Sequence, residues 1–190
     1  IGPIDVDFEG HIIRQTNINI SFSTLLLSKT FEVAFNEKNI SKIDLKDFIL
    51  KSPLFQASRY SIIEMALDFY FQKNFVIFSH LIIPQIEEAL RCILELSDEN
   101  VLTSSKSGGF HLKTFDHILR EQKVIEVLGE DTTFHFRVLF TESRGINLRN
   151  NMFHGILNPS YINEDTANLL LHSLLYLGII EEQPSNFIQP

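Results

Sequence analysis

Between Asn147 and Gly155 the chain gathers residue types that can hold an anion and move a proton beside it: Asn147-Leu148-Arg149-Asn150-Asn151-Met152-Phe153-His154-Gly155. Read as a helix, with about 100° between successive residues, the string puts His154 on one face with Asn150 and Asn151, and Asn147 two turns behind. Arg149 lies about 140° round, but its long side chain in the first turn can sweep toward the same side. Exposed backbone donors at a helix start already favour an anion. Arginine adds a fixed fork of donors, and histidine can exchange a proton near neutral pH. From Thr132 to Ser160 only Glu142 is acidic, against Arg137, Arg144 and Arg149, so this window is locally +2 in a chain of net charge −8. Taken alone, the string also suits a structural arginine and a satisfied histidine at a helix end.

Upstream, Pro84-Gln85-Ile86-Glu87-Glu88-Ala89-Leu90-Arg91 carries Glu87 and Arg91 one helical turn apart. That spacing makes an ordinary ion pair, and it equally lets Glu87 face the Asn147–Gly155 string and hold Arg149. The other histidines (His11, His80, His111, His117, His135, His172) have no metal-ligand spacing, and no HExxH or paired-cysteine pattern occurs. No metal and no cofactor is expected. Gly108-Gly109 lacks the Lys-Ser/Thr context of a phosphate loop and reads as a linker.

With both motifs in view, the chain resembles the HEPN superfamily of helical domains. Arg149, four intervening residues and His154, with a polar residue directly after the arginine, match its ribonuclease signature. The fuller string looks like a subfamily of uncharacterised domains marked by RNxxxHG, which also carries a pattern like Pro84–Arg91 about sixty residues upstream. The resemblance spans roughly 55–180 and leaves 1–50 unexplained. It implies a metal-independent endoribonuclease whose composite site is built across a two-fold homodimer, each subunit giving Arg149 and His154. His154 would take a proton from a ribose 2′-OH or give one to the leaving 5′-oxygen, and Arg149 would meet the charge developing on phosphorus. Asn150, Asn147, Glu87 and Arg91 would support them. Many HEPN domains are not nucleases, so the alternative is a catalytically inactive module that dimerises or binds a nucleotide, RNA or protein partner. Either would serve as part of a longer parent chain.

The elements that must position these residues read as helices throughout, so the expected fold is an all-α bundle over 53–180 with a small N-terminal helical extension, 1–52, and a tail, 181–190. Residues 1–22 read as an irregular or weakly extended lead-in. Ser23 caps a first helix to about Asn36, with Leu26, Leu27, Phe31 and Ala34 on its apolar side. Asp44 opens a second, short helix. Ser52-Pro53 has the order of a helix start, giving 53–72. Asn74 caps a long helix over 75–96 that Pro84 should kink. Residues 97–113 read as a mobile loop. Further helices follow over 114–128, 132–144, 148–157 (capped by Asn147) and 163–177, the last closed by Gly178 as a C-terminal glycine.

Composition bounds what this bundle can do. At 190 residues and 44% apolar, with 17 Phe and no Trp, the chain can bury one full core. Its acidic balance opposes non-specific nucleic-acid binding, since phosphate neutralisation supplies most of that affinity, yet it leaves room for a local basic site. The single Cys92 can form no internal disulfide, so a reducing, cytoplasmic setting is expected. The longest apolar stretch, Phe75 to Ile83, is broken by Ser79 and His80 and is too short for a bilayer.

Overall fold

The structure, a computed structural model, describes residue 3 and residues 6–105 and 108–181. It is an all-α bundle: among the described residues nine α-helices are joined by short turns, with one two-stranded hairpin. The described part contains no helix long and apolar enough to cross a membrane.

The first helix, α1, runs Phe8–Asn36, with the Asp7 carboxylate accepting from the Gly10 amide at 3.0 Å. The irregular lead-in expected up to residue 22 is therefore helical from Phe8. Its signal is sparse because only a narrow stripe is buried: Ile13 and Ile20, then Leu27 partly and Phe31. Asn17, on the same stripe, donates to the Arg144 carbonyl at 3.1 Å. Leu26, assigned to the apolar side by periodicity, is instead 73% exposed.

Helix α2, Lys42–Ile49, starts in a capping box: the Ser41 hydroxyl receives the Asp44 amide, and the Asp44 carboxylate receives the Ser41 amide. Ser52-Pro53 does not start a helix. Ser52, Leu54 and Phe55 are buried in a turn, a 3₁₀ turn follows at Ala57–Arg59, and α3 runs Tyr60–Phe71. The burial of Leu54 and Phe55 outweighs the local proline preference.

Helix α4, Phe75–Leu96, is the spine of the core, capped by Asn74 and continuous through Pro84. Phe78, Ile82, Ile83, Ile86, Ala89, Leu90, Ile93 and Leu94 are buried along it. They pack on Ile63, Ala66 and Leu67 of α3 and on the final helix, α9 (Glu164–Gly178), in one cluster that also takes in Ile13, Ile20, Leu45 and Ile49.

The segment expected as a loop over 97–113 carries the hairpin, β1 (Leu102–Ser104) and β2 (Phe110–Leu112), antiparallel with Leu102 opposite Leu112. The helix expected over 114–128 is two: α5, Phe115–Ile118, and α6, Gln122–Leu128. A straight continuation from the buried Phe115, Ile118 and Leu119 would turn Gln122 and Glu126 into the core, and the break brings in Val124 and Leu128 instead. Gly129 (φ 83°) then starts α7, Glu130–Phe140, earlier at both ends than expected.

Gly178 does not sit beyond the helix in a left-handed cap; it is the last residue of α9. A Cβ there would come within 3.1 Å of the Phe48 ring and 3.2 Å of the Ile49 Cα. The glycine is a packing requirement of the α2–α9 crossing. Of the C-terminal tail, 182–190 lies outside the described residues.

Candidate functional site

The site forms where a tight turn after α7 launches helix α8, Leu148–Phe153, against the middle of α4. The turn closes on Val138, whose carbonyl accepts the Ile146 amide at 2.9 Å and the Asn147 amide at 3.3 Å. Gly145 is required there, because a Cβ would overlap the same Val138 oxygen. Asn147 follows with φ 53°, a left-handed conformation that asparagine tolerates better than most residues.

Asn147 does not cap α8 with its side chain, contrary to the sequence expectation. Its Oδ1 accepts from Asn150 Nδ2 at 2.8 Å, and Asn151 Nδ2 donates to the Ile146 carbonyl at 3.0 Å. The asparagines thus tie α8 to its own launching turn, while Leu148 and Met152 fix it to the core. At six residues α8 is also shorter than the expected 148–157.

Arg149 leaves this scaffold toward α4. Its Nε lies 3.5 Å from Glu87 Oε2, its Nη1 donates to Asn150 Oδ1 at 3.2 Å, and its Cζ stands 5.9 Å from the centre of the Phe153 ring. Glu87 binds Arg91 through its other oxygen at 3.3 Å. Arg91 also bonds Glu88, which lies 3.6 Å from Arg59. The result is a continuous polar chain, Asn147–Asn150–Arg149–Glu87–Arg91–Glu88–Arg59. The two sequence motifs meet, and Glu87 both pairs locally with Arg91 and holds Arg149.

Beside this chain lies a cleft of about 310 Å³ lined by Arg59, Ile83, Pro84, Glu87, Glu88, Arg91, Arg149 and Phe153. Three guanidinium groups face two carboxylates there. His154 is not among the lining residues. It follows the end of α8 (φ −91°, ψ 2°) and is exposed. The expectation that Arg149 and His154 line one concavity within a subunit fails. The His154 amide keeps the helical bond to the Asn150 carbonyl at 3.0 Å, so the histidine stands about 140° round from Arg149, and the Arg149 side chain turns to Glu87 on α4 rather than sweeping toward the histidine's side. Among the described residues no side-chain hydrogen bond or ion pair engages the His154 ring. Sequence reasoning also missed Arg59 and Phe153 as lining residues. Phe153 stood inside the motif, whereas nothing in the sequence ties Arg59 to Glu88.

The basic window read from the sequence is neutralised in three dimensions. Arg144 pairs with Glu142 at 3.0 Å, Glu9 at 2.9 Å and Asp7 at 3.7 Å, and Arg137 stands 3.8 Å from Glu142 and 3.9 Å from Glu9. Burial alone would raise the Glu142 carboxyl, but hydrogen bonds from Arg144 and the charges of Arg144 and Arg137 hold it below its ordinary value. Of the three arginines, only Arg149 reaches the cleft. Among the described residues no group of three or more His, Cys, Asp or Glu could hold a metal ion. No family model, curated protein or solved structure matches the chain.

Proposed function

We propose that this chain is a HEPN-like domain directed at RNA, a metal-independent endoribonuclease whose site is completed by a second copy of the chain. The observation that carries the reading is the treatment of the two signature residues. Arg149 is held by Glu87 and Asn150 yet keeps 31% of its side chain exposed, and His154 stands unengaged at the end of the same helix. A guanidinium so fixed is ready for a phosphate without reorganising, and an exposed imidazole is free to exchange a proton.

In the reaction, the ribose 2′-oxygen attacks phosphorus as its proton passes to a base, and the bond from phosphorus to the 5′-oxygen breaks as that oxygen gains a proton. One strand end becomes a 2′,3′-cyclic phosphate and the other a 5′-hydroxyl. One histidine offers one proton carrier at a time, so a two-fold partner bringing a second His154 supplies both acid and base. Ile156 and Tyr161, 71% and 68% exposed just beyond His154, provide apolar surface for such a partner. The test is incubation of the purified protein with labelled RNA in EDTA. Cyclic-phosphate ends support the reading, and intact RNA at high protein concentration overturns it.

The charge favours a second reading, a binding module without catalysis. The chain is −8 overall, and Arg137 and Arg144 are spent on Glu142, Glu9 and Asp7. In that case the same experiment shows a mobility shift without cleavage.

A further inference from the structure

Two residues of α1, outside the span of the HEPN resemblance, reach the turn that launches α8. Glu9, Ile13, Asn17 and Ile20 follow one another at helical spacing on one face of α1. Ile13 and Ile20 are buried against the bundle, and Asn17 interrupts them where an apolar residue would extend the stripe. The asparagine is costly there, because its Oδ1 is buried without a partner. Its gain is one bond: Nδ2 donates to the Arg144 carbonyl at 3.1 Å.

That bond belongs to a set. Asn151 Nδ2 donates to the Ile146 carbonyl at 3.0 Å and Asn150 Nδ2 to the Thr141 carbonyl at 3.4 Å. Three carbonyls of the 141–147 turn thus accept from asparagine side chains, two from α8 itself and one from 127 residues earlier in the chain. Glu9 repeats the pattern with charge. Glu142 lies 3.0 Å from Arg144 and 3.8 Å from Arg137, and Glu9 lies 2.9 Å and 3.9 Å from the same two guanidinium groups. Glu142 alone would leave one negative charge between two positive ones, and Glu9 balances it. Helix α8 is six residues long and enters the core only through Leu148 and Met152. A helix so short does not hold itself, so its direction, and that of Arg149 on it, follows the turn.

We propose that Asn17 and Glu9 are positioning residues of the signature site: α1 holds the 141–147 turn and thereby aims α8. Among the described residues neither bonds Arg149 or His154 itself. This rests on the reading of α8 as the functional helix, but not on RNA cleavage. It gives a role to a segment that the resemblance leaves unexplained.

The test is amide hydrogen exchange followed by NMR, without RNA, on the unaltered chain, Asn17→Leu, Glu9→Gln and Ile20→Val. The Asn151 and His154 amides, bonded to the Asn147 and Asn150 carbonyls, report on α8, and those of the buried Ile86 and Leu90 report on the core helix α4. Leucine at position 17 continues the apolar stripe, so the α4 amides should exchange no faster. Loss of one hydrogen bond corresponds to roughly a two- to tenfold change in a local opening equilibrium, and the α8 amides of Asn17→Leu should speed up by that factor. Glu9→Gln should act the same way more weakly, and its effect should vanish at about 1 M salt, which screens an exposed pair. Ile20→Val, a packing loss on the same face, should instead speed the α4 amides at least as much as those of α8. Unchanged α8 exchange in Asn17→Leu, or α8 and α4 amides speeding together in it, overturns the inference. A chain that leaves RNA intact while its α8 amides alone respond to Asn17→Leu keeps this inference and loses the nuclease reading.

Discussion

Neutralising Glu87 tests the junction between the two motifs. Glu87→Gln keeps the shape of the side chain and removes its charge, leaving Arg149 with Asn150 and Phe153, and Arg91 with Glu88. Two unit charges 3.5 Å apart attract by about 5 kcal/mol at an effective dielectric constant of about 20. Desolvation offsets most of this, since the Glu87 and Arg149 side chains are only 16% and 31% exposed. Fully exposed pairs are worth about 0.2–1 kcal/mol, and breaking a buried pair costs about 3–5 kcal/mol. The half-buried geometry lies between these limits, so Glu87→Gln should cost about 1–2 kcal/mol. In a chain of this size that is a drop of roughly 2–8 °C in melting temperature. Urea unfolding of Glu87→Gln, Arg149→Gln and the double variant gives the coupling directly. A coupling of about 1 kcal/mol is expected. A value below about 0.3 kcal/mol, within the scatter of independent sites, would refute the claim that Glu87 holds Arg149.

Partial burial lowers the pKa of His135, further through the nearby charge of His172. In the unfolded chain this ring takes a proton near pH 6.5, ahead of the folded state, so stability should be constant above about pH 7.5 and fall as pH drops toward 5.5. Calorimetric melts across that range should show the slope, and a His135→Gln variant that keeps it unchanged would exclude this ring as its source. Asp116 and Glu142, held below their ordinary values against the effect of burial, lose their contribution only in more acid solution, below about pH 4. Gly145→Ala should be the more damaging of two glycine substitutions, at about 3 kcal/mol, because the new methyl group meets the Val138 backbone oxygen; Gly178→Ala, meeting a Phe48 ring that can shift, should cost about 1 kcal/mol. Chemical denaturation of the two variants ranks them, and the reverse order would be inconsistent with the packing described.

What could be read in the sequence follows from how each helix is buried. Helix α4 buries a broad apolar face and is capped by Asn74, so its period and its start were both visible. Helix α1 buries a stripe about one residue wide, Ile13, Ile20 and Phe31, among exposed Phe22, Leu25 and Leu26. Its apolar residues therefore point both ways, and its first half read as irregular. Pro53 and Gly178 misled because each has a strong local preference that tertiary packing overrode, by Leu54 and Phe55 in one case and by Phe48 and Ile49 in the other. At the site, the meeting of Glu87 with Arg149 was legible because each lies in a motif of its own. The full neutralisation of Arg144 was not, since beyond the neighbouring Glu142 its partner Glu9 is 135 residues away, in the first half of α1 that read as irregular. The sweep of Arg149 toward His154 was misjudged, because Glu87 draws the guanidinium to α4 and leaves the two residues about 140° apart.

The most direct measurement of the central claim is RNA cleavage in EDTA by Arg149→Ala and His154→Ala beside the unaltered chain, with the melting temperature of each. His154 is exposed and bears no side-chain bond among the described residues, so His154→Ala should melt as the unaltered chain does. Arg149→Ala should melt a few degrees lower through loss of Glu87 and Asn150, at about 1–2 kcal/mol. The account predicts that the unaltered chain cuts labelled RNA to cyclic-phosphate ends and that both variants, still folded, do not. Cleavage that survives in folded His154→Ala would contradict it.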